Sequence, residues 1–406
     1  MEDEIEEADY TQNNNTIGNG INREERSSNV EYEETWLFQT DYVHPFSEEG
    51  KLKTGMKANL RDFENDYTVE VQQNGDEWET LPRYNNEFIY VENIYGGYIT
   101  AKEKWGNFSA KGGLRSEYAN IRTELTETNE TNPRDYVDFF PSAFLSYKIK
   151  KRNTLQVSYS RRISRPDFWD LVPFFQYADS RNYRSGNPNL EPEYTHSFEL
   201  GYQRVLDNGN IMANAYYRYR TNVFEDITFV EDSTGLTRSK PVNLATEDVY
   251  GIELSGTYNF ADWWRANGSI NGYRSITEGS YRGEDLFSDT YTWQAKLSTK
   301  FTIAQLVDVQ GSLDYRAPRK TTQGRRKFSY AVDLAASVQV LQDRGKITLS
   351  VEDIFDTRRR RWVTEGDNFR TEGHFQWHTS QQMRLSFNYR LKSNQKDPEE
   401  RLMEDQ

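Results

Sequence analysis

Residues 327 to 341 read KFSYAVDLAASVQVL, with Phe328, Tyr330, Val332, Leu334, Ala336, Val338 and Val340 on one parity. Ser329, Ala331, Asp333, Ala335, Ser337 and Gln339 occupy the other. Successive side chains of a β-strand point to opposite faces, so one face of this segment meets something apolar and the other meets water or polar groups. The same alternation returns in KLKTGMKANL (51–60), NTLQVSYS (153–160), THSFELGYQ (195–203), YGIELSGTYNF (250–260) and YTWQAKLSTKF (291–301). It continues in VDVQGSLDY (307–315), KITLSV (346–351) and QMRLSFNYRL (382–391). The pattern predicts about fifteen strands, the first over about 33–44 and the last over about 379–391. Many are about ten residues long, the length a tilted strand needs to cross a bilayer.

The connections between these segments fall into two alternating classes. Short polar turns occur at 44–50, 101–107, 148–153, 205–210, 260–264, 302–306 and 341–346. Long charged or aromatic loops occur between them, at about 64–85, 121–136, 164–194, 221–248, 275–289, 317–326 and 354–378. Tight turns at one end of every hairpin and extended loops at the other are the signature of an up-and-down barrel in an outer membrane. A soluble sandwich has no reason to segregate its long loops in this way. The fold expected is therefore all-β, an antiparallel up-and-down transmembrane β-barrel. The apolar face of 328–340 then meets lipid, because a closed sheet satisfies its own backbone there. Aromatic residues near the short turns (Phe46, Trp105, Phe260, Trp263, Trp264) and near the loops (Tyr90, Trp169, Phe174, Tyr219, Trp293) suggest two interfacial girdles.

Composition narrows the function. A net charge of -14, from 50 Lys and Arg against 64 Asp and Glu, argues against a nucleic-acid partner. The mean hydropathy of -0.94 excludes helical spans but not a barrel whose strands are apolar on one face only. Cysteine is absent, which removes disulfides, thiolate metal sites and cysteine nucleophiles. The first 20 residues are acidic and polar, with no apolar core of a signal peptide. The expected organisation is an acidic, loop-like segment over 1–32, a barrel over 33–391 and a polar tail over 392–406. By direction the first and last strands both run toward the short turns, which makes the count odd, whereas bacterial single-chain barrels are even. The expectation is that these strands form part of a larger barrel of about 22.

The stretch VSYSRRISRPDFWDLVPFFQYADSRNYRSGNPNLEPEYTHSFELGYQR (157–204) resembles TonB-dependent outer-membrane receptors, specifically the outer-membrane β-barrel family of Bacteroidota type. YSRRISRP, LVPF, SGNPNLEPEY and SFELGY occur in the family's order and spacing. The motif positions are Arg162, Pro166, Pro173, Gly186, Asn187, Pro188, Leu190, Pro192 and Glu193. The resemblance implies the barrel portion of an energised transporter for an unidentified solute, with no cofactor and no enzymatic activity. Implied partners are outer-membrane lipid and lipopolysaccharide, the barrel-assembly machinery, and TonB through an N-terminal plug and TonB box that this sequence does not display. The alternative is a passive porin or structural barrel.

Physically, GNPNLEPEY reads as a turn leading into a strand: Gly186 and Asn187 suit the turn, and Pro188 and Pro192 hold their predecessors extended. Arg165, Asp167, Trp169, Glu191 and Glu193 are the candidate ligand contacts, although Arg165, Glu191 and Glu193 could equally tie the loop to its neighbours. Glu191 and Glu193 lack the supporting groups of a glycosidase pair. HFQWH (374–378) has helical metal-ligand spacing in strand-like surroundings, so no metal site is expected. The basic run Arg358–Arg361 reads as a solvated loop facing lipopolysaccharide phosphates. Four histidines, at 44, 196, 374 and 378, offer no acid-base constellation for an outer-membrane protease or lipase.

Overall fold

The structure, a computed structural model, describes residues 23–73, 77–81, 85–173, 175–177, 182–231, 236–342, 344–366, 369–376 and 381–390. The strands are, in chain order, β1 (Arg23–Pro45), β2 (Lys51–Gln73), β3 (Glu79–Thr80), β4 (Asn86–Trp105), β5 (Phe108–Leu125), β6 (Glu130–Lys150) and β7 (Asn153–Ser164). After the single helical turn α1 (Phe168–Leu171) come β8 (Phe175–Tyr177), β9 (Asn182–Ser185), β10 (Glu193–Leu206), β11 (Gly209–Glu231), β12 (Leu236–Ala261), β13 (Trp264–Tyr281) and β14 (Glu284–Ile303). The last are β15 (Val307–Arg316), β16 (Arg319–Thr321), β17 (Gly324–Arg326), β18 (Ser329–Val340), β19 (Gly345–Glu352), β20 (Arg359–Gly366), β21 (Phe369–Gln376) and β22 (Gln382–Tyr389).

Fifteen of these form one antiparallel meander, in the order β1-β2-β4-β5-β6-β7-β10-β11-β12-β13-β14-β15-β18-β19-β22. Among the described residues β1 pairs only with β2 and β22 only with β19, so each presents a free edge. A second, four-stranded sheet, β16-β17-β20-β21, is built from two loop hairpins.

Register turns the one-dimensional alternation into an apolar belt. Leu145 lies opposite Val157, Val157 opposite Leu200, Leu254 opposite Ile270, Leu297 opposite Leu313, Leu313 opposite Val332, and Leu349 opposite Leu385. These side chains are partly or largely exposed on the protein surface, as lipid-facing groups must be. The girdle beside the short turns is as expected: Trp105 stacks on Phe108 at 5.9 Å, Phe260 on Trp264 at 4.1 Å, and Trp264 on Phe301 at 5.6 Å. The opposite girdle keeps Trp293 of the expected set and otherwise consists of other rings. Tyr159, Phe198, Tyr217 and Tyr250 form a ladder across four strands with centroid spacings of 4.9, 6.1 and 4.9 Å, and Trp293 meets Tyr315 at 4.5 Å. Tyr90 is instead buried on the inner face, and Phe174 lies outside the described residues.

Two expectations about element bounds need correction. Strand β1 starts at Arg23, inside the segment read as loop-like, and several long loops are strand extensions. β5 and β6 continue to Leu125 and Glu130, β11 and β12 to Glu231 and Leu236, and β13 and β14 to Tyr281 and Glu284. At about 3.3 Å per residue, a strand the length of β12 runs roughly 85 Å, well beyond a bilayer core of about 30 Å. Past the lipid both faces meet water or other protein, so the apolar alternation that marks a strand fades while backbone pairing continues. The residues of the tail, 392–406, and His378 lie outside the described residues.

Candidate functional site

The segment between β7 and β10 turns onto the inner face of the wall. Phe168, Leu171 and Val172 of α1 and its C-terminal end, together with Leu190, join Phe63 of β2, Phe88 and Tyr90 of β4, and Ala119, Ile121 and Leu125 of β5 in one apolar cluster. Phe168 is the hub, with ring centroids 3.8 Å from Phe63 and 5.4 Å from Phe88. The motif positions serve this packing. Gly186 donates its N–H to the Val172 carbonyl at 2.7 Å, and a Cβ there would lie 2.5 Å from that same oxygen, so only glycine fits. Asn187 donates its backbone N–H to the Asp170 carbonyl at 2.6 Å and its side-chain amide to the Pro241 carbonyl at 3.0 Å. Leu190 is 0% exposed, and Pro188 and Pro192 are buried beside it. Arg134 reaches from β6 to donate to the carbonyls of Pro188 and Leu190. Arg162 and Asp167 are exposed, and Pro166 and Pro173 are half-buried.

Three of the five candidate ligand contacts are engaged within the chain. Arg165 pairs with Glu117 at 2.9 Å and donates to the Tyr136 hydroxyl at 2.9 Å. Glu193, 5% exposed, pairs with Arg220 and accepts the Phe224 N–H at 3.0 Å; Arg220 also binds Glu247 at 2.5 Å. Burial alone would lower the Arg220 pKa, yet the two carboxylates hold it above an ordinary guanidinium. Glu191 is exposed, but its backbone N–H donates to Asn243 at 2.8 Å and its carboxylate accepts from Asn222 at 3.1 Å. Asp167 and Trp169 are exposed, the Trp169 ring lying edge-on to Phe168 at 5.4 Å on the margin of the cluster. Arg134, Arg220 and Glu247 carry no sequence signal, since their partners are 27 or more residues away.

Another part of the inner face is open. Between β11 and β18 it encloses a cavity of about 870 Å³, lined by Glu253, Ser255, Asn267, Lys296, Ser298, Ser312, Asp314, Arg316 and Asp333, with Arg358, Arg359 and Arg360 at its rim. The rim is held in place by Asp353, which is fully buried and accepts the N–H groups of Thr357 at 2.9 Å and Arg358 at 2.8 Å. Arg358 in turn pairs with Asp333 at 2.8 Å. Above the cavity the second sheet is tethered to β11: the Gln323 amide accepts the Thr228 N–H at 2.8 Å and donates to the Thr228 carbonyl at 3.0 Å. His374 sits in β21 opposite Arg361, in strand geometry, with no metal-like cluster among the described residues.

Comparison with known proteins agrees with this architecture. No curated protein sequence matches the chain significantly. The siderophore receptor PiuA from Acinetobacter baumannii superposes with a TM-score of 0.62 at 14% identity, over 91% of this chain and 57% of that one. The ferric yersiniabactin uptake receptor FyuA from Yersinia pestis gives 0.58 at 13% identity, over 91% and 54%. The ferric citrate transporter FecA gives 0.59 at 11% identity, over 90% and 55%. The chain thus spans little more than half the length of these structures, which are receptors and transporters rather than enzymes. Residues 2–389 match the outer membrane protein beta-barrel family. An antiparallel wall with an outward apolar belt, two aromatic girdles and a family match over nearly its whole length leaves one assignment: the chain belongs to the outer membrane protein beta-barrel family and resides in the outer membrane of a Gram-negative cell.

Proposed function

We propose that the chain supplies the barrel wall and external loops of a TonB-dependent receptor of the Bacteroidota type, which takes up a bulky solute against its gradient. The single observation that carries this reading is the divided interior. One side is filled by the 165–192 segment, whose apolar cluster packs on β2, β4 and β5, and the other is a polar cavity of about 870 Å³. That interior suits a bound solute better than a water-filled pore. The coverage of 57% and 54% of the two receptors supports a longer whole protein, in which further strands continue from the free edges of β1 and β22 toward about 22 in all. A plug and TonB box, assembly by the barrel-insertion machinery, and contact with lipopolysaccharide belong to the same reading. Trp169 and Asp167, both exposed, are its candidate solute contacts.

The test compares medium depletion by wild-type cells and cells lacking the gene, with and without a protonophore. One solute class should be consumed by the wild type alone, and the protonophore should abolish its uptake. Uptake that persists with the gradient collapsed would make the protein a passive porin.

A further inference from the structure

The second sheet places three arginines together, none of them held in an ion pair among the described residues. Arg319 of β16 lies directly opposite Arg326 of β17, and Arg326 directly opposite Trp362 of β20. Arg360 precedes Trp362 by two positions on the same strand, so all three guanidinia share one face of the sheet. Like charges directly opposite each other destabilise a pair of strands. Among the described residues none of the three forms an ion pair, while neighbouring Arg358 and Arg359 are matched by Asp333 and Asp356. Glu225 and Asp226 are near enough to act on Arg326 electrostatically but form no ion pair with it; Glu225 accepts the Thr322 hydroxyl at 2.5 Å and Asp226 pairs with Arg184 at 3.3 Å. Partial desolvation and the charges of Arg319 and Arg360 lower the Arg326 pKa despite Glu225 and Asp226.

One member of the cluster, Arg360, reaches the cavity, which it lines with Lys296, Arg316, Arg358 and Arg359. Lys296 and Arg316 both pair with Asp314, Arg358 with Asp333 and Arg359 with Asp356, so among the described residues Arg360 is the lining cation without an ion pair. Guanidinia brought together on one face match the planar, bidentate geometry of carboxylates and phosphates.

We propose that the arginine face formed by Arg319, Arg326 and Arg360, with the cavity rim beneath it, binds a polyanion carrying clustered phosphate or carboxylate groups. The inference deepens the uptake reading and rests on it for the route the anion follows, but binding itself is measured independently. The protein, purified from outer membranes as its gene encodes it, is titrated calorimetrically with pyrophosphate, with citrate and with vesicles bearing lipid A. Arg326→Gln and Arg360→Gln should each weaken binding about tenfold. Arg325→Gln, on the opposite face of β17 where it meets Lys320 and Val363, should change binding less than about twofold. Wild-type affinity should also fall as NaCl rises from about 50 to about 500 mM, a readout that requires no variant to fold. Binding of pyrophosphate or citrate assigns the site to a soluble anion, and binding of lipid A vesicles alone assigns it to the membrane surface. Binding of none of the three, or equal losses for Arg325→Gln and Arg326→Gln, overturns the proposal. Polyanion binding without protonophore-sensitive uptake would overturn only the transport reading, and energised uptake without polyanion binding only this one.

Discussion

The inner face of a single sheet is used in two opposite ways. On β2, β4 and β5 the inward positions above the membrane are Phe63, Phe88, Tyr90, Ala119, Ile121 and Leu125, and they are sealed by α1 and Leu190. On β12 to β18 the inward positions are Glu253, Ser255, Asn267, Ser298, Ser312 and Asp314, and they line an open cavity. Backbone pairing is the same in both regions. What differs is whether an apolar inward residue has an apolar partner from a loop, because an uncovered apolar patch in the lumen would face water at about 25 cal/mol per Å². The arrangement therefore couples the motif segment to one side of the wall and leaves the other side available to a solute.

The largest expected effect tests the sealed side. Glu193→Ala leaves Arg220 with one of its two carboxylates and strips the Phe224 N–H of its acceptor. Loss of a partner from a buried ion pair costs about 3 to 5 kcal/mol. Denaturant unfolding of the barrel in detergent should register a loss of that size; a loss under about 1 kcal/mol would mean that the 165–192 segment is not fixed to the wall by this pair.

Next, Leu190→Ala should cost about 2 to 4 kcal/mol by opening a cavity among Phe63, Phe88 and Phe168. Ser298→Ala, on the open side, should stay within about 0.5 kcal/mol. Similar losses at the two positions in the same unfolding assay would erase the distinction between the regions. The lipid face offers a third contrast. Leu334→Arg should cost about 2 to 4 kcal/mol near the bilayer midplane, whereas Ser337→Arg, directed into the lumen, should cost far less. Refolding yields in lipid vesicles that fall equally for both would reverse the inside-outside assignment of β18.

The smallest effect lies in the arm of the β13–β14 hairpin that leads to its tip, beyond the Trp293 girdle. Asp289 accepts two hydrogen bonds from Arg274, at 2.9 and 2.7 Å, and the guanidinium holds its carboxyl below the ordinary value. A depressed folded-state pKa means that the pair stabilises the hairpin above the unfolded value near 3.8 and that this support disappears as pH falls through the folded value. Amide exchange in this arm should accelerate, relative to the intrinsic rate, between about pH 5 and about pH 2. Asp289→Asn should flatten that dependence, and a variant that keeps the full pH response would discount the pair.

Much of this fold was legible in the chain. Lipid demands apolar side chains on one face of every spanning strand, so Leu334, Val157 and Leu313 announce their orientation by parity alone, and short turns against long connections set the up-and-down order. The count of about fifteen wall strands and the short-turn girdle at Trp105, Trp263 and Trp264 follow from the same constraint. The strand extensions of β11, β12 and β13 were not legible, because beyond the bilayer no solvent imposes an alternation. In the motif segment, glycine and proline marked an ordered turn, but nothing local distinguished a loop facing outward from one folded inward. That choice was made by Phe63, Tyr90 and Ile121, roughly 40 to 110 residues earlier in the chain, whose apolar side chains point to the lumen and need cover. The arginine face is the same kind of outcome: Arg319 and Arg326 meet across one hairpin, but Arg360 joins them only when β20 pairs with β17. The sequence by itself determined which surface meets lipid, since the bilayer acts on each strand separately. Only the tertiary structure decided what fills the interior, since that depends on which distant side chains the register of the sheet and its inward-folded segment bring face to face.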